Sequence, residues 1–137
     1  MSHDLPSAHA TVTPNDVFRF GLELAALVAF GYGGWVLGGG GFAGGALSVG
    51  VAVTAAAIWG TFRVDGDPKR APVPVPGVVR LLLEGMVFAS ACALLALASA
   101  PVPAGALGLL ILVHYGIGHQ RIRWLLAHPG RLPAYRR

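Results

Sequence analysis

At 137 residues, of which 55% are hydrophobic and only 12% charged, the chain has the size of one domain and the makeup of a lipid-soluble one, since soluble domains carry roughly a quarter of their residues as charges. Its formal net charge of +4 does not point to nucleic acid. Binders of that kind spread Lys and Arg over a folded face, whereas all 10 here lie beside apolar runs or in flanking segments. Nothing between Glu23 and Arg63 is charged, nor anything between Glu84 and Arg121. Each stretch exceeds the ~20 residues that cross a bilayer once, and can hold two spans joined by a tight turn.

Residues 1–13 are polar, with His3, Asp4 and His9 but no basic n-region. They read as a loose tail, neither signal nor transit peptide. Thr13-Pro-Asn-Asp16 then reads as a helix start: Thr13 at the N-cap, Pro14 in the first turn and acidic Asp16 near the positive end of the dipole. The first span covers 14–37, and the glycine run Gly38–Gly41 ends it. That run lacks the Gly-Lys-Ser/Thr ending of a phosphate loop and is read as a turn. The second span, 42–62, carries Gly50, Thr54, Ala57 and Thr61 along one face, a spacing that lets helices approach closely in lipid. Trp59 and Phe62 near its end suit an aromatic belt at the membrane interface.

A Pro-rich loop follows over 63–77. Asp65-Gly-Asp-Pro68 is turn chemistry, and Pro72, Pro74 and Pro76 alternating with valine predict an extended strap without ladder hydrogen bonds. The third span, 78–99, has Gly85, Ala89, Cys92, Ala96 and Ser99 as its small-residue face, with Cys92 read as a packing residue. Ala100-Pro-Val-Pro103 makes a second hairpin, and the fourth span covers 104–126 before a basic tail, 127–137. Arg121 and Arg123 are expected at the membrane interface. The whole is read as all-α, a four-transmembrane-helix bundle.

Charge position gives topology. With Arg19 on one side, Arg63, Lys69, Arg70, Arg80, Arg121, Arg123, Arg131, Arg136 and Arg137 fall on that same side, and the other has none. The positive-inside rule then makes both termini and the central loop cytoplasmic. The expected surroundings are the bilayer itself and anionic lipid at the cytoplasmic face.

One short pattern occurs twice. Arg19-x-x-x-Glu23 opens the first apolar run and Arg80-x-x-x-Glu84 the third, each placing an arginine and a glutamate one helical turn apart. The recurrence suggests two helical hairpins related as parallel repeats, although the halves otherwise share little. A glutamate seven residues past a helix entry lies on the order of 10 Å deep at ~1.5 Å per residue, where a bare charge is costly, so these carboxylates should be paired or protonated. The preferred reading is a structural clasp in which Glu23 meets Arg80 or Arg19, and Glu84 meets Arg19 or Arg80. The other is a carboxylate site taking protons, a cation or a polar solute. His114 and His119, five residues apart, point about 140° from each other on a helix and cannot chelate one ion from one face. His114, Ile117 and Arg121 do share a face, so His114 is a candidate titrating partner of the cluster. No ligand spacing is diagnostic of a metal, and no cofactor motif is present.

Arg19-x-x-x-Glu23, Gly31-Tyr32, Trp35, Trp59-Gly-Thr-Phe62, Pro68-Lys-Arg-Ala-Pro72 and Arg80-x-x-x-Glu84 together resemble the YrdB-like family of small bacterial membrane proteins. The resemblance covers about residues 17–126. It implies four spans in a bacterial inner (plasma) membrane and no established activity. Three functions are then weighed: a non-enzymatic membrane component or accessory subunit, a small-solute or proton-coupled transport or binding protein using Glu23 and Glu84, and a redox or lipid-modifying enzyme using His114. The sequence holds no nucleophile triad, nucleotide loop or ligand cluster, so the first reading is preferred and the enzyme ranks last. A homo-oligomer packed along the small-residue faces, or an unidentified membrane partner, fits such a component.

Overall fold

The computed structural model describes residues 13–63 and 72–127. The tail expected over the first residues, the turn at Asp65–Pro68, Lys69, Arg70 and the basic tail from 128 onward lie outside the described residues. The elements are α1 (Pro14–Leu37), α2 (Gly41–Thr61), β1 (Phe62–Arg63), β2 (Val73–Pro74), α3 (Gly77–Leu97), α4 (Pro101–Ile117) and α5 (His119–Ala127).

Local chemistry explains the boundaries. Thr13 and Asp16 form a capping box: the Asp16 backbone N–H donates to Thr13 Oγ1 at 3.2 Å, and the Thr13 N–H donates to Asp16 Oδ2 at 2.9 Å. The α1–α2 hairpin turns through Gly39, Gly40 and Gly41, all at positive φ (74°, 70° and 60°), a region that side chains with a Cβ avoid. The expected turn is thus a turn. The proline strap differs from expectation. Val73 and Pro74 pair in parallel with Phe62 and Arg63, because the chain leaving α2 runs extended beside the one entering α3.

Three helices, α1, α2 and α3, are long and apolar enough to cross a membrane. The fourth apolar run is not the single helix expected over 104–126. It breaks at Gly118 into α4 and α5, which meet at 67°, so the described residues hold three candidate spans, or four if the bent pair is one. The outer surface is strongly apolar, with Val28, Phe42, Val49, Leu82, Val102 and Leu112 all more than half exposed. Such a surface is rare on a water-soluble monomer and suits hydrocarbon.

α1 is the hub, packing on α2, α3 and α4, while α2 touches α3 only narrowly. The core is Leu22, Ala26, Ala29 and Phe30 of α1, Ala55 of α2, Phe88, Ala91 and Leu95 of α3, and Leu107 and Ile111 of α4. The expected small-residue faces are not the packed ones. On α2, Gly50, Thr54 and Ala57 are exposed. The Thr54 and Thr61 hydroxyls donate to carbonyls of their own helix, Gly50 at 2.7 Å and Ala57 at 2.6 Å, so neither needs a partner helix. α2 instead meets α1 where Gly34 lies against the Ser48 backbone and Gly44 against the Trp35 carbonyl. On α3, Ala89 and Ala96 are exposed, as is Ser99 in the turn after it, and the buried stripe is Gly77, Arg80, Glu84, Phe88, Ala91 and Leu95. The charged residues of α3 therefore begin its inward face.

Candidate functional site

The buried stripe of α3 carries Glu84 into the bundle about two turns from the helix start. It is 0% exposed, and its neighbours come from three other helices. From α1, Arg19 brings Nη2 to 3.6 Å from Glu84 Oε2, while its Nε lies 3.1 Å from Glu23 Oε1. From α5, Arg121 Nη1 donates to Glu84 Oε2 at 3.2 Å and reaches Oε1 at 3.4 Å. From α4, His114 Nε2 stands 4.0 Å from Glu84 Oε1. One carboxylate thus touches groups from α1, α4 and α5, and two guanidinium groups share its charge, the pairing a buried ion requires.

Arg80 extends to the end of α2. Its Nη1 donates to the Trp59 carbonyl at 3.0 Å and also to the Phe62 carbonyl. These are among the last carbonyls of α2, which has no basic residue in its own final turn, so a cation there complements the dipole. The guanidinium also lies 4.0 Å from the Trp59 ring centroid, with that of Arg19 at 5.6 Å. Desolvated cation–π contacts of this kind contribute about 2 kcal/mol or more. Trp59 further packs on Phe88, ring centroids 5.9 Å apart.

The structure therefore brings Arg19, Glu23, Glu84 and His114 together, and of the pairings the sequence leaves open it forms Arg19–Glu23 and Arg19–Glu84. Trp59 is half-buried with both cations beside its ring, and Phe62 is half-buried in β1. Arg123 is exposed. Arg121, expected only at the interface, is a direct partner of Glu84. The face shared with His114 hinted at this but for the wrong reason: Ile117, on that same face, is 61% exposed, and it is the bend at Gly118 that turns Arg121 inward.

The surroundings of His114 are mixed. Phe18 meets its ring edge-on at 5.9 Å and Tyr115 lies at 5.7 Å. His114 Nδ1, Tyr115 Oη and Asn15 Oδ1 are buried without a hydrogen-bond partner among the described residues, a costly arrangement that native structures usually avoid. Among the described residues, no three His, Cys, Asp or Glu side chains come together as a metal site. Cys92 is half-buried on α3, near Gly108 of α4.

The family model for "Protein of unknown function (DUF2568)" matches residues 17–112. This range includes Arg19, Glu23, Arg80 and Glu84, and stops short of His114 and Arg121. The chain is 35% identical over 115 residues to "Uncharacterized protein YrdB" of Bacillus subtilis (strain 168), an alignment spanning 82% of this chain and 93% of that protein. No solved structure matches. On the extent of the matched family model and of that relative, the chain belongs to the DUF2568 family of proteins of unknown function.

Proposed function

We propose that the protein is a non-enzymatic, multi-pass component of a bacterial inner membrane, with both termini cytoplasmic, whose helices are locked by an ion cluster centred on Glu84. The observation that carries this reading is the fully buried Glu84 carboxylate between Arg19 of α1 and Arg121 of α5. Two guanidinium groups facing one buried carboxylate favour a fixed ion pair. A clasp of this kind joins the first helix to the last and sets which helices neighbour one another, the best-attested use of buried ion pairs.

Thermal stability in detergent tests it. Glu84→Gln keeps the shape and strands two arginines, so the loss should approach the ~3–5 kcal/mol of a broken buried pair. Because Arg19 keeps Glu23 and both arginines retain some exposure (16% and 23%), the lower end is expected. Glu23→Gln removes one partner of a part-exposed i,i+4 pair and should cost about 1 kcal/mol or less. Equal and small losses would contradict the clasp.

A second reading, transport or binding of a small solute or proton through Glu23 and Glu84, draws support from the unpartnered polar atoms of His114, Tyr115 and Asn15 at the same end of the bundle. It predicts that Glu84→Gln is no less stable than the wild type, because functional sites trade stability for activity. It also predicts flux or ligand uptake into liposomes that Glu84→Gln abolishes.

A further inference from the structure

α5 differs from every other helix of the bundle. It is nine residues long, polar on average, and turned 67° from α4, so if α4 crosses a bilayer, α5 lies closer to the membrane plane than to its normal. At 100° per residue, Arg121 and Leu125 share one face, Ile122 and Leu126 flank it on one side, and Gln120 and Arg123 lie toward the opposite side. The first face is occupied: Arg121 reaches Glu84, and Leu125, 1% exposed, has its backbone against Gly77. Beyond it, Leu126 is 54% exposed and Trp124 39% exposed, and Arg123 is exposed. From Gly118 to the end, the sequence holds Arg121, Arg123, Arg131, Arg136 and Arg137, with no Asp or Glu.

An exposed apolar flank with an arginine beside it is the making of a helix that lies in the headgroup region. We infer that α5 is an in-plane surface helix that docks on anionic phospholipid, with Leu126 in the acyl boundary and Arg123, about 60° round the helix from it, on the phosphates. The inference rests on the membrane reading above. It adds a partner, since the helix that supplies Arg121 to Glu84 is then held from outside by the charge of the lipid surface.

The test uses the full-length chain with Cys92→Ala, spin-labelled in turn at Leu126→Cys and at Gln120→Cys, in nanodiscs of phosphatidylcholine alone or with phosphatidylglycerol. Oxygen against water-soluble nickel-chelate accessibility reads the depth of each label. The expected result is an oxygen-favoured label at 126 and a water-favoured label at 120. The ratio of lipid-inserted to water-exposed label at 126 should rise with phosphatidylglycerol, and Arg123→Gln should lower it by about fivefold, the worth of one basic residue at an anionic surface. Water-favoured labels at both positions would overturn the docking. A lipid-inserted label at 126 that ignores lipid charge would overturn the anionic recognition. A label at Val28→Cys, 70% exposed in the middle of α1, separates this from failure of the membrane reading, because that label must be oxygen-favoured whatever α5 does.

Discussion

Replacing Gly77 by alanine pits two effects of opposite sign against each other. In an unencumbered helix the change should stabilise by up to about 1 kcal/mol, since alanine is the better helix former. Here a Cβ at position 77 would stand 2.0 Å from the Leu125 carbonyl oxygen and 2.6 Å from its carbon. Both are backbone atoms, so α5 must shift as a body. Overpacking of this kind costs about 1–3 kcal/mol. If the shift also draws Arg121 off Glu84, a hydrogen bond to a charged group worth about 1.5–3 kcal/mol goes with it. The clash therefore wins, and a net loss of about 2–5 kcal/mol is expected. The assay is thermal unfolding in detergent, with hydrogen exchange of the 119–127 peptide alongside. That peptide should lose protection while α1 keeps its own. A Gly77→Ala protein as stable as the wild type, with α5 still protected, would refute the placement of α5 against α3.

Two further outcomes follow from packing. Trp59→Leu removes the ring shared by Arg80 and Arg19 and should cost about 2 kcal/mol or more, whereas Trp59→Phe keeps an aromatic face and should cost less; matched losses in thermal unfolding would mean that only apolar volume matters there. Gly34→Ala places a Cβ 2.7 Å from Ser48 Cα and should cost about 1–3 kcal/mol by prising α1 from α2. Gly50→Ala, with nothing within 4 Å of its Cβ, should be neutral or stabilising by up to about 1 kcal/mol, and melting curves of the pair check both.

Much of the fold could be read from residue types alone, because composition and capping act locally. The long uncharged runs imply the helix pairs, Thr13 and Asp16 the start of α1, and the glycine run its end. Orientation about each helix axis was less legible. Small residues on α2 and α3 suggest packed faces, yet Thr54 and Thr61 satisfy their hydroxyls within their own helix, and Thr54 is left facing outward. The buried stripe of α3 was instead marked by spacing, since Arg80, Glu84, Phe88, Ala91 and Leu95 recur at helical intervals. The doubled Arg-x-x-x-Glu pattern located three of the cluster's charges, and Arg80 of the same pattern meets the C-terminal end of α2 and the Trp59 ring. Arg121 could not be placed from sequence, because its position depends on the bend at Gly118, a tertiary feature.

The most direct measurement of the clasp is a double-mutant cycle with Glu84→Gln, Arg121→Gln and the pair together, read as unfolding free energy in one detergent. Residues that share a buried ion pair couple by about 0.5–3 kcal/mol. For a bond to both oxygens of a carboxylate that is 0% exposed, a coupling of at least ~1 kcal/mol is expected, so the double variant should be clearly more stable than the two single losses predict. Additive losses, within the ~0.3–0.5 kcal/mol seen for independent sites, would mean that Arg121 and Glu84 do not hold α5 to α3.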